Sequence, residues 1–204
     1  MNLNKLMTIQ ADLDKHIEVK KGLQGQDLLD KKILALQVEL GELANEWRGF
    51  KFWKENPEPR TKHFKGCDNC IGGVSKNSPL LGPYSECEFC KSNPLLEEYV
   101  DCLHFILSIG LELELDDRPN SLIYEIEEEP DELVLMFEEV LSHTCDLFWD
   151  CYHENDYEAQ EYKYKAIFSN FLKLGDMLGF TTEQIEQAYL DKNKVNHARQ
   201  ESGY

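Results

Sequence analysis

An all-α fold, a helical bundle, is what the 204-residue chain predicts, on three observations. Apolar residues recur at alternating steps of three and four through most of its length. No stretch of useful length alternates apolar and polar residues as a half-buried strand would. Helix-start signals stand before several of the periodic runs. The chain reads as one domain, 1–204, with a small insert at 62–91 between the second and third helices.

Leu3 to Val19 forms the first helix, with Leu6, Ile9, Leu13 and Ile17 as its stripe. A loop with two glycines follows at 20–26. Asp27 is placed to cap the second helix, which is expected to run to about Phe50 with Leu29, Ile33, Leu36, Leu40, Leu43 and Trp47 along one side. The segment 51–61 is aromatic and basic and leaves the helix by Asn56-Pro57. Asn93 then caps a third helix with Pro94 in its first position. That helix is apolar on nearly every side and should be central. A loop rich in acidic residues occupies 116–130. The fourth helix spans Asp131 to about His153, and the fifth Tyr157 to Leu178. Their aromatic stripes read as core or subunit interface rather than as a cofactor box. Thr181 and Gln184 form a capping box for the last helix, expected to end near Arg199.

Composition narrows the function. A net charge of −18 argues against nucleic-acid binding, which needs Lys and Arg for phosphates. It suits a protein that gathers cations, and a phosphate substrate would then need metals and a local basic patch. No apolar run approaches the roughly 20 residues of a membrane span. The first residues lack a signal-peptide apolar region. A cytoplasmic protein is expected. Seven cysteines, four of them in two C-x-x-C pairs, fit metal binding in a reducing compartment better than a disulfide framework.

Those pairs, Cys67 with Cys70 and Cys87 with Cys90, lie in the insert with sixteen residues between them. Four thiolates at this spacing fit a structural Zn²⁺ on two knuckle turns and leave no open position for catalysis. His63 nearby reads as an ordinary loop histidine.

Two further helices each carry carboxylates one turn apart, Glu39 with Glu42 and Glu98 with Asp101. Side by side they would converge, and crowded carboxylates repel unless a cation holds them. Hard oxygen ligands suit Mg²⁺ or Mn²⁺, two of which could organise displacement at phosphorus. Glu46, one turn beyond Glu42, could orient or deprotonate a water or act as another ligand. His104, a turn past Asp101, reads as a core or supporting histidine. No Gly-rich phosphate loop is present.

These residues carry a resemblance. LQVELGELANEWRGFKFWK (36–54), EEYVDCLHFILSIGLE (97–112) and YLDKNKVNHARQESGY (189–204) resemble the dimeric dUTPases, a branch of the all-α, MazG-like nucleoside triphosphate pyrophosphohydrolases. The resemblance implies Mg²⁺-dependent hydrolysis of dUTP, and usually dUDP, to dUMP by a homodimer. It implies Glu39, Glu42, Glu98 and Asp101 as metal ligands and Glu42 or Glu46 as the holder of the attacking water. Gln10 would contact the uracil, and Phe50 and Trp53 would lie near the nucleoside. Lys192, Asn193, Asn196 and Arg199 would meet sugar and phosphates. The cysteine insert departs from the family pattern. Two alternatives stay open: a related pyrophosphohydrolase of other base specificity, and a non-catalytic zinc-knuckle interaction protein.

Overall fold

A computed structural model describes residues 1–71, 73–76, 86–87, 90–115, 121–124, 132–154 and 156–203. The expected acidic loop at 116–130 is described only at 121–124, and the expected helix start at Asp131 lies outside the described residues. Six α-helices are present among the described residues: α1 (Leu3–Lys21), α2 (Leu29–Trp47), α3 (Pro94–Glu112), α4 (Leu133–Trp149), α5 (Tyr157–Met177) and α6 (Thr182–Glu201). The fold is all-α, and the strands among the described residues are two residues long.

Local chemistry explains most helix ends. Asn2 accepts from the Lys5 amide to start α1, and Gly22, at φ 67°, closes it in the left-handed region. Asn93 accepts from the Leu96 amide and Pro94 follows, so α3 begins where its cap dictates. Asp156 caps α5 through the Glu158 and Ala159 amides. Thr181 and Gln184 complete their reciprocal capping box. Asp27, expected as the cap of α2, lies one residue too early: the N-cap is Leu28, without a side-chain cap, and Asp27 accepts from the Leu29 amide at 3.0 Å.

The end of α2 differs from expectation. It stops at Trp47, three residues before Phe50, because Arg48 takes a left-handed φ of 68° and its amide bonds to the Ala44 carbonyl. Gly49 must follow: a Cβ there would run into the Trp47 ring. The apolar period continues through Phe50, but the backbone turns before it. α3 ends at Glu112, and Glu114 beyond it sits at φ 54°.

The central helix is α3, which packs against α1, α2, α5 and α6. Leu95, Tyr99, Leu103, Ile106 and Leu107 on it are fully buried. Each such side chain contributes about 2 kcal/mol by leaving water. Glycine and tyrosine interlock reciprocally across α3 and α5. The Tyr164 ring of α5 covers Gly110 of α3 and donates to the Ile106 carbonyl at 3.1 Å. The Tyr99 ring of α3 covers Gly175 of α5 and donates to the Phe171 carbonyl at 3.1 Å. A Cβ at either glycine would collide with the hydroxyl end of the ring. α6 is polar on most sides and buries only Ile185, Tyr189 and Asn193, at steps of four.

Between α2 and α3 the chain forms two strand pairs. β1 (His63–Phe64) runs antiparallel to β4 (Lys91–Ser92), and β2 (Cys70–Ile71) to β3 (Val74–Ser75). Gly73 turns the second pair at φ 84°, with the Phe64 ring where its Cβ would be. Cys70, Cys87 and Cys90 are buried against Phe64 and Cys67 as a small core apart from the main one. No helix among the described residues is long and apolar enough to cross a membrane.

Candidate active site

α2 and α3 pack along their length, and this contact brings Glu39, Glu98 and Asp101 together. One carboxylate oxygen from each lies within 4.8 Å of the others. All three are half-buried. Glu42, the second acid of α2, is exposed and stands outside that triad, yet its charge still acts on Glu39 and Glu98. Glu39 is pushed up to about 7, first by loss of water and then by Asp101 and Glu42. Glu98 is likewise pushed up to about 7, by burial and by Asp101, Glu42 and Glu39. Burial also raises Asp101, against the pull of Lys192. The Lys192 ammonium donates to Asp101 Oδ2 and brings α6 onto the cluster. Three acids sharing one lysine leave negative charge in excess, and a divalent cation is the natural complement of such a donor set.

Glu46 is not one of the three clustered acids; Arg60 Nε lies 2.8 Å from Glu46 Oε2.

Beside the carboxylates opens a cavity of about 330 Å³. α1 lends it Gln10 and Asp14, α3 lends His104 and Ser108, and α6 lends Asn196 and Arg199. Glu39 and Asp101 reach its wall, so the acidic cluster and the cavity are one site. Its polar floor is a connected network. Asp14 accepts from Gln10 Nε2 at 2.6 Å, from Ser108 Oγ, and from Lys32 Nζ at 3.2 Å. An ionised Asp14 only accepts, so the Gln10 amide must point its nitrogen there. Gln10 Oε1 then accepts from the Tyr189 hydroxyl and from His104 Nδ1, both at 2.8 Å. His104, stacked on Tyr189 at 4.1 Å, therefore carries its proton on Nδ1 and shows a bare Nε2. That nitrogen is buried without a partner among the described residues. Burial, aided by the Lys192 charge, pushes His104 down to about 3, so the ring is neutral.

Of the residues singled out in the sequence, Gln10, Glu39, Asp101, Asn196 and Arg199 line this cavity, Glu98 completes the acidic triad, and Lys192 ties α6 to Asp101. Asn193 is buried, and its Nδ2 has no partner among the described residues. Phe50 and Trp53 lie outside the cavity, exposed and edge-to-face at 5.8 Å. Ser108 and the acceptor role of His104 had no signal in the linear order, and Asp14 had only its place four residues past Gln10 on the same helix face.

The four cysteines form a second cluster. Sγ separations are 3.8 Å (Cys67–Cys70), 3.6 Å (Cys67–Cys87) and 3.4 Å (Cys70–Cys90). A tetrahedral ion with bonds of about 2.3 Å would set its sulfurs roughly 3.8 Å apart, so the donor set fits a metal such as zinc.

The all-α scaffold thus carries a cluster of three carboxylates beside a cavity with a hydrogen-bonded floor. A family model described as dUTPase matches residues 2–66 and 86–204. The chain therefore belongs to the dUTPase family, in its all-α form, a family of nucleotide pyrophosphohydrolases whose substrate is dUTP. The match passes over 67–85, so Cys67 and Cys70 fall outside it while Cys87 and Cys90 fall within. No curated protein matches the chain.

Proposed function

We propose that the protein is a divalent-metal-dependent dUTP diphosphatase that converts dUTP, and also dUDP, to dUMP. The observation that carries this reading is the half-buried triad of Glu39, Glu98 and Asp101 on the wall of the cavity floored by Gln10 and His104. Glu39, Glu98 and Asp101, with Glu42 at the rim, would hold Mg²⁺, two ions per site, with Mn²⁺ as a substitute. Bound there, the metal neutralises phosphate charge and acidifies a water. Glu42 or Glu46 holds that water and takes its proton as the water oxygen bonds to phosphorus. The α–β phosphoanhydride bond breaks, and pyrophosphate leaves with dUTP as substrate.

The base enters the cavity, and His104 Nε2 accepts the N3–H of uracil. Cytosine presents a lone pair at that position, which repels the bare nitrogen. Gln10 keeps one N–H of its amide free for the base, the other being held by Asp14. Asn193, Asn196 and Arg199 on α6, with Lys192, serve sugar and phosphates. Phe50 and Trp53 follow the α2 terminus and would need to fold inward to reach the nucleoside. The four cysteines hold a structural Zn²⁺.

A homodimer completes the reading. Leu34 and Val38 on α2 and Trp149 at the end of α4 stand 60%, 53% and 55% exposed, an apolar face suited to a second copy. The deciding assay is product release from dUTP, dTTP, dCTP and UTP with Mg²⁺ and with a chelator. Mg²⁺-dependent hydrolysis confined to dUTP supports the reading. Broad hydrolysis removes the base-contact assignment, and no hydrolysis removes the enzyme.

A further inference from the structure

The segment between α2 and the cysteine cluster has a job of its own. Arg60 is bonded to both carboxylate-bearing helices. Its amide donates to the Glu46 carbonyl at 2.9 Å, at the end of α2. Its carbonyl accepts from the Leu95 amide at 3.1 Å, in the first turn of α3. Its side chain returns to α2, with Nε 2.8 Å from Glu46 Oε2 and Nη2 3.4 Å from the Asn45 carbonyl. An exposed Arg–Glu pair is ordinarily worth little. Here the Glu46 side chain is only 16% exposed, and the backbone of the same arginine is pinned at both ends.

The cysteine knuckle begins three residues later. β1 pairs with β4, Phe64 packs on the cysteines, and the Lys65 amide donates to the Cys90 carbonyl at 2.9 Å. Lys65 Nζ also reaches both oxygens of Glu97, at 2.8 and 2.9 Å, on α3 beside Glu98. From Cys90 the chain needs only β4 to arrive at Asn93, the α3 cap. The knuckle thus holds the incoming strand next to the outgoing one, and Arg60 cannot shift without moving the start of α3.

We propose that Arg60 is a positioning residue that holds the Glu46 carboxylate in place, and that the four-cysteine knuckle fixes Arg60 between α2 and α3. This rests on Glu46 being, of the two glutamates proposed for it, the carboxylate that holds the attacking water. Removing the guanidinium lets Glu46 swing among rotamers while the substrate pocket, built from α1, α3 and α6, stays intact. A small misplacement of a reacting group is enough to slow turnover.

The test uses Arg60→Met, Arg60→Lys, Glu46→Gln and the double variant Arg60→Met/Glu46→Gln in the full chain. Arg60→Met should lower kcat by about tenfold or more with KM within about twofold. Arg60→Lys, which keeps a cation in reach, should recover part of the loss. In the Glu46→Gln background Arg60→Met should cost nothing further. Unchanged kcat, equal changes in kcat and KM, or additive losses would each overturn the positioning role. Amide hydrogen exchange on the wild-type protein, with its metal and after chelation, tests the anchoring without any assay of activity. Faster exchange at the Arg60 and Leu95 amides after chelation is the expected result. Unaltered exchange at those amides would overturn the anchoring. If the wild-type protein hydrolyses no nucleotide, the functional reading falls, and the exchange at Arg60 and Leu95 then decides the anchoring by itself.

Discussion

Glu98 sits where three acids share a half-buried space, and its chemistry yields two predictions. Glu98→Gln or Asp101→Asn removes one oxygen donor charge, and turnover should fall below detection with helical circular dichroism retained. The second concerns pH in the metal-free protein. Glu39 and Glu98 are raised to about 7 in the folded chain, above the range of an unfolded glutamate. Between those values the folded state holds more protons than the unfolded state, so stability falls as pH rises toward 7. The thermal midpoint should drop from pH 5 to pH 8, less so in Glu98→Gln, and divalent cation should restore it at pH 8. A pH-independent difference between wild type and variant would refute this account. His104 was legible only as a supporting histidine. Its partners lie on α1 and α6, and the bare nitrogen follows from a hydrogen-bond chain through Gln10 and Asp14 that no local spacing encodes.

Among the elements, α3 and its N-terminal cap were readable because they depend on neighbours in the chain. Asn93 and Pro94 announce the start, and the apolar run announces the burial. Asn93→Ala should destabilise the fold by about 1 kcal/mol in denaturant melts. The end of α2 was not readable, since the apolar period continues through Phe50 while Arg48 leaves the helix. Glycine packing was equally hidden. Gly110 and Gly175 look like helix weaknesses in sequence, yet each admits a tyrosine from the facing helix. Gly110→Ala should therefore destabilise by roughly 1–3 kcal/mol despite the better helix propensity of alanine. A gain in stability would mean that Tyr164 can move aside.

At the scale of the whole molecule, the periodic stripes and the absence of strand alternation were sufficient for an all-α bundle, because burial of one face per helix is a global demand written into every turn. The distance between α2 and α3 was not, because it depends on side-chain packing along both helices. Cys67→Ser should loosen the insert before the bundle: exchange should quicken around Phe64 and Cys90 while the main melting transition shifts little. Equal losses in both would make the knuckle integral to the core. Light scattering should return the mass of two chains, with a monomer contradicting the assigned apolar face.

The contact between Lys192 and Asp101 has a consequence for the order of events. It gives Asp101 a tethered counter-ion, supplied by α6 at high effective concentration. In the proposed metal-dependent reaction, a cation arriving at Asp101 would exchange with that ammonium. Its apparent affinity is weakened by the competition. The displaced ammonium becomes available beside the cavity at the moment the cation is seated, and a polyphosphate needs both charges. Cation and substrate binding would thereby favour one another through a single lysine.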